Sequence, residues 1–339
     1  MAPQPRGLLL CFDAFNTLFR PAPSVAVQYA LVANEYPKLA KVQPDQVKSA
    51  FSAAYRAEAK NNPNYGRTTG GMGPEKWWTN VINNTFQPLL ESGASSNSPS
   101  QVPPELARKL LHRFSSDEGY ELTGDFVGLF PVLRRHFAQR KTPLVVGVIS
   151  NSDDRVLPIL TAFGIKHHGF RYGGSEVVTA NVVDANDDIN FHCLSYDVGY
   201  EKPSRDIFGA AEDMARAVVS ASTSGVETAS SAPLPIWTKI HVGDVMEEDV
   251  EGARAAGGWH AILVKSSPEM TKTYTTIMDR GIPTLASYKN KTAHSLFDVF
   301  PPDDTRSSPP PSSSSSNPGK VVRAENVKEV LEWFSTAEI

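Results

Sequence analysis

Two apolar runs that each end on an acidic residue constrain this chain most. Leu8 to Phe12 is followed at once by Asp13, and Ile236 to Val242 by Gly243-Asp244. A run of that length, bounded by polar residues, reads as a buried strand of a parallel sheet. Parallel neighbours need a crossover between them, usually a helix, so the chain is committed to an α/β design. In open α/β sheets, ligands bind outside the carboxyl ends of the strands. A carboxylate at such an end is therefore a site candidate as well as a turn residue.

The remaining pattern agrees. Leu144 to Ile149 reads as a strand ending at Ser150-Asn151, and Ile189 to Leu194 as another, followed by Gly199-Tyr200-Glu201-Lys202-Pro203. Helical spacing covers Phe126 to Phe137, Arg155 to Phe163, Asp206 to Ala217 and Glu247 to Ala256, and Ala261 to Val264 is a last strand. Strands alternating with helices predict a doubly wound parallel sheet. Between the first strand and the rest, Ser24 to Tyr36, Pro44 to Lys60, Gly73 to Leu90 and Pro104 to Phe114 show helical periodicity without strand alternation. This predicts an all-helical insert, long enough to close over the mouth of a site. Ala324 to Ala337 is expected as a closing amphipathic helix with Val327, Val330, Leu331 and Phe334 on one face. Ser92 to Pro103, Ser220 to Pro235 and Pro301 to Gly319 are too poor in apolar residues to offset their ordering entropy and are expected to be disordered. The Ser312 to Ser316 tract reads as linker.

Composition narrows the function. With 339 residues, 40% of them hydrophobic, the chain can bury a large core in two units. Its net charge is −4 and its basic residues are scattered, which leaves no electrostatic footprint for nucleic acid or an anionic membrane. Cys11 and Cys193 lie within apolar runs and are expected as buried free thiols, favouring a reducing compartment. No signal peptide or membrane span is read. A cytoplasmic protein is expected, with the nucleus as a second compartment.

The residues at the predicted strand ends make a chemical set. Asp13 follows a buried strand, where a carboxylate is costly unless a metal or donors satisfy it, and it fits a nucleophile. Thr17 fits either a contact to the transferring group or a local cap. Ser150, with Asn151 beside it, offers a hydroxyl and backbone N–H groups to an oxyanion, although helix capping uses the same residue types. Lys202 can neutralise both Asp13 and an incoming phosphate. Asp244 and Asp249 suit a hard ion such as Mg²⁺, held directly or through water. Glu247 and Glu248 read as charges favoured by a helix N-terminus. The eight histidines show no metal-ligand spacing. Together these residues describe a phosphoryl-transfer site.

The order Asp13, Ser150, Lys202, then Asp244 with Asp249 resembles the four motifs of the haloacid dehalogenase superfamily. Ala54-Tyr55-Arg56, Pro63-Asn64-Tyr65-Gly66 and Trp77-Trp78 extend the likeness to one group within it. The resemblance implies an α/β core over residues 6–20 and 125–300 and a helical cap over 21–124. A linker over 301–319 and a C-terminal helix over 320–339 complete the division. It also implies a Mg²⁺-dependent hydrolase acting on a small phosphorylated molecule through an aspartyl-phosphate on Asp13, with no nucleic-acid or membrane partner.

Position 15 departs from that pattern. Superfamily phosphatases carry a second aspartate there as general acid and base, whereas this chain has Phe15, which leaves only a backbone carbonyl for the metal. An aromatic residue there resembles the 2-haloacid dehalogenases, whose halide leaves without a proton. Those enzymes lack a metal-binding acidic pair, so Asp244 and Asp249 argue for the phosphatase. A metal-free dehalogenase and a non-catalytic phospho-ligand binder are the alternatives.

Overall fold

The computed structural model describes residues 4–36, 41–70, 72–92, 101–173, 187–223, 235–265, 281–288, 295–302 and 319–339. The three segments expected to be disordered, and the Ser312 to Ser316 tract, fall almost wholly outside the described residues. The chain divides into two compact units. The first comprises Met1–Phe19, Leu122–Asn151 and Gly164–Ile339, and the second Arg20–Glu121 with Ser152–Phe163.

The first unit is built on a six-stranded sheet. Its strands are β1 (Arg6–Phe12), β4 (Leu144–Ser150), β5 (Phe191–Leu194), β6 (Ile236–Gly243), β7 (Trp259–Val264) and β8 (Val321–Ala324). They run in the order β5-β4-β1-β6-β7-β8, and every pair is parallel. The chain thus winds outward from β1 in one direction and then in the other, which leaves a topological switch at β1. Leu8, Leu9, Leu10, Cys11 and Phe12 are all fully buried, as a strand covered on both faces requires. On one face Leu9, Cys11, Val145, Ile149 and Cys193 pack with Ile207, Phe208, Ala211 and Met214 of the helix Arg205–Thr223. On the other, Phe12 meets Phe130 edge to face, with ring centres 6.1 Å apart. Cys11 and Cys193 are buried free thiols.

Register decides what the strand ends bring together. Phe12 is level with Val148 of β4 and Val242 of β6. One step further on, Asp13 stands between Ile149 and Gly243, and its N–H donates to the carbonyl of Val242 at 2.8 Å. Ser150 and Asp244 are the next residues on either side. Adjacent strands lie about 4.8 Å apart, so the three strand ends carry their side chains at one edge.

The C-terminal segment differs from expectation. Val321–Ala324 is strand β8, paired with β7, and the helix is the shorter Val327–Phe334. Alternating burial along Val-Val-Arg-Ala favours the strand, and Asn326 fixes the helix start by accepting the N–H of Glu329 at 3.0 Å. This segment therefore completes the first unit.

The second unit is mainly helical: Val25–Ala33, Pro44–Asn61, Gly73–Ser92 and Pro104–Arg113. Two short strands absent from the sequence reading, β2 (Phe19–Pro21) and β3 (Tyr120–Leu122), pair where the chain enters and leaves it. Ser152–Phe163, assigned above to the core, belongs to this unit, because Asp153 and Arg155 are tied to Trp78. Among the described residues, no helix is long and apolar enough to cross a membrane.

Close packing of the sheet makes a test. A Cβ at Gly147 would stand 2.3 Å from the ring of Phe191, whereas one at Gly209, on the exposed side of the helix Arg205–Thr223, meets nothing within 4 Å. Gly147→Ala is expected to lower stability by about 1–3 kcal/mol through overpacking. Gly209→Ala is expected to raise it by about 0.5–1 kcal/mol through helix propensity. Chemical denaturation of the two variants reads both signs.

Candidate active site

At the carboxyl edge of β1, β4 and β6, the side chain of Lys202 is the hub. Its ammonium, buried with the rest of the residue, donates to Asp13 Oδ1 at 2.7 Å and to Asp249 Oδ1 at 2.5 Å. Asp13, Asp244 and Asp249 are each more than nine-tenths buried, and each offers a carboxylate oxygen within 4.8 Å of the other two. Three carboxylates gather around one ammonium, an excess of acidic over basic side chains in one buried cluster whose ligand atoms are all oxygen.

Each carboxylate is held differently. Asp249 Oδ1 also accepts Nε2–H of His241 at 2.9 Å, and Oδ2 accepts the N–H of Val245 at 2.9 Å. Burial alone would raise its pKa, but the charge of Lys202 and the bond from His241 outweigh it and hold Asp249 well below the usual carboxylate range. Asp13 moves the other way: burial pushes it up, Lys202 only partly offsets this, and Asp249 adds to the rise. Burial likewise opposes the charge on Lys202, yet Asp13 and Asp249 prevail and raise it. Asp249 is thus the carboxylate that Lys202 and His241 favour in its charged form, whereas burial works against the charge on Asp13. Burial, only partly offset by Asp249, lowers His241, which is neutral and bonds through one nitrogen only.

Local structure explains how Asp249 comes so close. Met246–Glu251 forms a π-helical turn, and an α-helix begins only at Gly252–Ala256, where a single helix over Glu247 to Ala256 was expected. π-Turns interrupt helices often at functional sites. Gly243 makes room, since a Cβ there would lie 2.1 Å from the carboxyl carbon of Asp249.

The other expected residues divide. Ser150 closes β4 beside Asp13 and is 1% exposed. Thr17 is as buried, and its Oγ1 has no hydrogen-bond partner among the described residues, so it does not serve as a cap there. Asn151, expected to touch substrate, is occupied by Lys202: its Oδ1 accepts the Lys202 N–H at 2.6 Å and its amide donates to the Lys202 carbonyl at 2.9 Å. The same amide donates to Glu248 Oε2 at 3.0 Å. Phe15 is half-buried and packs edge to face on Phe19 at 5.0 Å.

Two participants were missed. Glu248, read above as a solvated capping charge, turns inward to Asn151, and burial pushes its carboxyl up to about 7. His241 carried a signal that could have been used: it is the one polar residue in the buried run Ile240 to Val242.

No family model matches the chain. Haloacid dehalogenase-like hydrolase domain-containing protein 3 of Mus musculus is 30% identical over 265 residues, covering 76% of this chain and 82% of that protein. The chain belongs to the haloacid dehalogenase-like hydrolase superfamily. An uncharacterized hydrolase of Schizosaccharomyces pombe is 29% identical over 246 residues, which is 73% of this chain and 86% of that protein. Among solved structures, a 2-haloacid dehalogenase from Pseudomonas syringae pv. Tomato aligns with 81% of this chain and 91% of its own, at 19% identity and a TM-score of 0.43.

The raised pKa of Glu248 has a signed consequence. Its folded value lies near 7, above the ordinary 4.5, so its contribution favours the fold fully below pH 4.5 and is lost as pH rises through 7. Glu248→Gln removes that loss. In metal-free buffer, the melting temperature of the variant relative to wild type is expected to climb as pH rises from 4.5 and to level off above about 7. A difference that stays flat with pH would contradict the placement of Glu248.

Proposed function

We propose that this hydrolase is a Mg²⁺-dependent phosphatase acting on a small phosphorylated molecule. The observation that carries the reading is the buried cluster of Asp13, Asp244 and Asp249 around Lys202, in which acidic side chains outnumber basic ones. The donor set is all oxygen, which suits a hard cation. Asp13, Asp244 and the backbone carbonyl of Phe15 would hold the ion. Asp249 reaches it through water, because three of its roughly four acceptor positions are taken by Lys202, His241 and Val245. Bound there, Mg²⁺ would supply charge neutralisation to the phosphoryl oxygens.

The chain's own residues do the rest. One oxygen of Asp13 is fixed by Lys202, and the other is available to attack phosphorus. The new bond is Asp13 Oδ to P, and the bond to the leaving oxygen breaks with its electron pair. Lys202, Ser150 and Thr17 Oγ1 surround the transferring oxyanion with donors that need little reorganisation. Water then cleaves the aspartyl-phosphate, releasing inorganic phosphate and restoring the carboxylate. Asn151 acts by clamping both backbone groups of Lys202.

Phe15 sets the limit on substrates. Its ring cannot give a proton to the leaving group, and positioned proton transfer is typically worth about 10²–10⁴-fold. Substrates whose leaving group departs as a stable anion, acyl or aryl phosphates, fit best. The same residue supports a second reading, a dehalogenase in which Asp13 displaces halide from carbon. Against it stands the buried acidic cluster, which would repel a carboxylate substrate unless a cation were present.

Steady-state kinetics with Mg²⁺ separate the readings. Aryl and acyl phosphates are expected to turn over well ahead of alkyl phosphates. Phe15→Asp should raise alkyl phosphate turnover by about tenfold or more, and Asp13→Asn should abolish all turnover. Halide release from 2-chloropropionate without Mg²⁺, with no turnover of an aryl or acyl phosphate, would replace the phosphatase with the dehalogenase.

A further inference from the structure

The second unit holds an arginine prepared for a ligand the proposed mechanism does not use. Arg155 lies with its guanidinium 4.2 Å from the ring centre of Trp78. Asp153, 1% exposed, locks it from the inner edge: Oδ1 accepts Arg155 Nε–H at 2.7 Å and the Arg155 backbone N–H at 3.1 Å. The other oxygen, Oδ2, accepts Nε1–H of Trp78 at 2.9 Å. The carboxylate is thus spent on aiming the arginine and the indole. The outer fork, Nη1 and Nη2, has no partner among the described residues, although the side chain is only 14% exposed. That fork is the edge by which arginine takes a carboxylate or phosphate with two parallel hydrogen bonds. The side chain is largely buried while its unpartnered fork still reaches solvent, so the fork is open to an acceptor.

The surroundings are aromatic and constrained. Trp78 contacts Trp77, Tyr55 and Tyr65, with ring centres 4.8, 5.9 and 6.2 Å away. Tyr65 is held at φ +57° and Asn64 at φ +47°, a left-handed pair that side-chain-bearing residues adopt rarely and that recurs at ligand clamps. Tyr29 is 2% exposed. The charge of Arg155 acts on Tyr29, Tyr65 and Tyr120.

We propose that Arg155, aimed by Asp153 and backed by Trp78, is the anchor of an anion-binding site in the second unit that takes the carboxylate or phosphate of a small organic acid with a flat apolar body. The inference is independent of the phosphatase reading. The test is calorimetric titration of the full chain in EDTA with benzoate, phenyl phosphate and inorganic phosphate, alongside tryptophan fluorescence. Benzoate or phenyl phosphate is expected to bind one to one, more tightly than inorganic phosphate, with a change in emission. Asp153→Asn/Arg155→Gln keeps a neutral hydrogen-bonded pair and is expected to weaken binding at least tenfold. Arg155→Lys keeps the charge without the fork and should weaken it several-fold, which decides the matter if the double variant does not fold. No binding to wild type, or undiminished binding in both Arg155 variants, would overturn the site.

Discussion

A single ammonium buried between two carboxylates organises this protein. Lys202 Nζ lies 2.7 Å from Asp13 and 2.5 Å from Asp249, and none of the three is exposed enough to draw on bulk water. Removing one member of such a group typically costs about 3–5 kcal/mol, because the charge left behind stays buried. Much of the first unit can be understood as meeting that condition. Gly243 has no side chain because Asp249 occupies its space. The backbone after Asp244 widens into a π-turn that returns Val245 N–H to Asp249. His241 stays neutral and spends Nε2–H on the same carboxylate.

The sheet delivers the parts, and hydrogen bonds assign the roles. Because β1 is flanked by β4 and β6, the residues just past three neighbouring strands meet at one edge. Asp249 is saturated with donors and fixes Lys202. Asp13 keeps one oxygen uncommitted, and burial pushes its pKa up against the pull of Lys202. Asn151 ties Lys202 to Glu248, so hydrogen bonds link the loop after β4, the loop before Pro203 and the turn after β6. Pre-organisation of that kind is what electrostatic stabilisation of an oxyanion requires, and in the proposed phosphatase Phe15 would limit which leaving groups are served.

Much of this was legible in the sequence, for a definite reason. Parallel strands buried on both faces leave largely apolar runs, so β1, β4 and β6 and the polar residues closing them stood out. Asp13 and Asp244 close two of those runs, whereas Lys202 and Asp249 were named with the help of the four-motif resemblance. Short elements with little apolar content were harder. The edge strand Val321–Ala324 is four residues long and runs into a helical pattern, so the two were read as one helix. Strands β2 and β3, three residues each, carry no periodicity at all. Glu248 was read as a capping charge because a helix N-terminus and a buried acidic cluster use the same residues. Only the π-turn, invisible in the sequence, turns it toward Asn151. The tie of Ser152–Phe163 to Trp78 is a contact across 75 residues that no local pattern carries.

The account stands or falls on the buried acidic cluster holding a cation. Isothermal titration of the metal-free protein with Mg²⁺ measures it directly, with Asp244→Asn and Asp249→Asn compared with wild type. One ion per chain is expected in wild type. Binding should be lost or weakened by more than tenfold in Asp244→Asn and weakened less in Asp249→Asn, whose carboxylate is already committed to Lys202 and His241. Absence of Mg²⁺ binding in wild type, or affinity unchanged by Asp244→Asn, would contradict it.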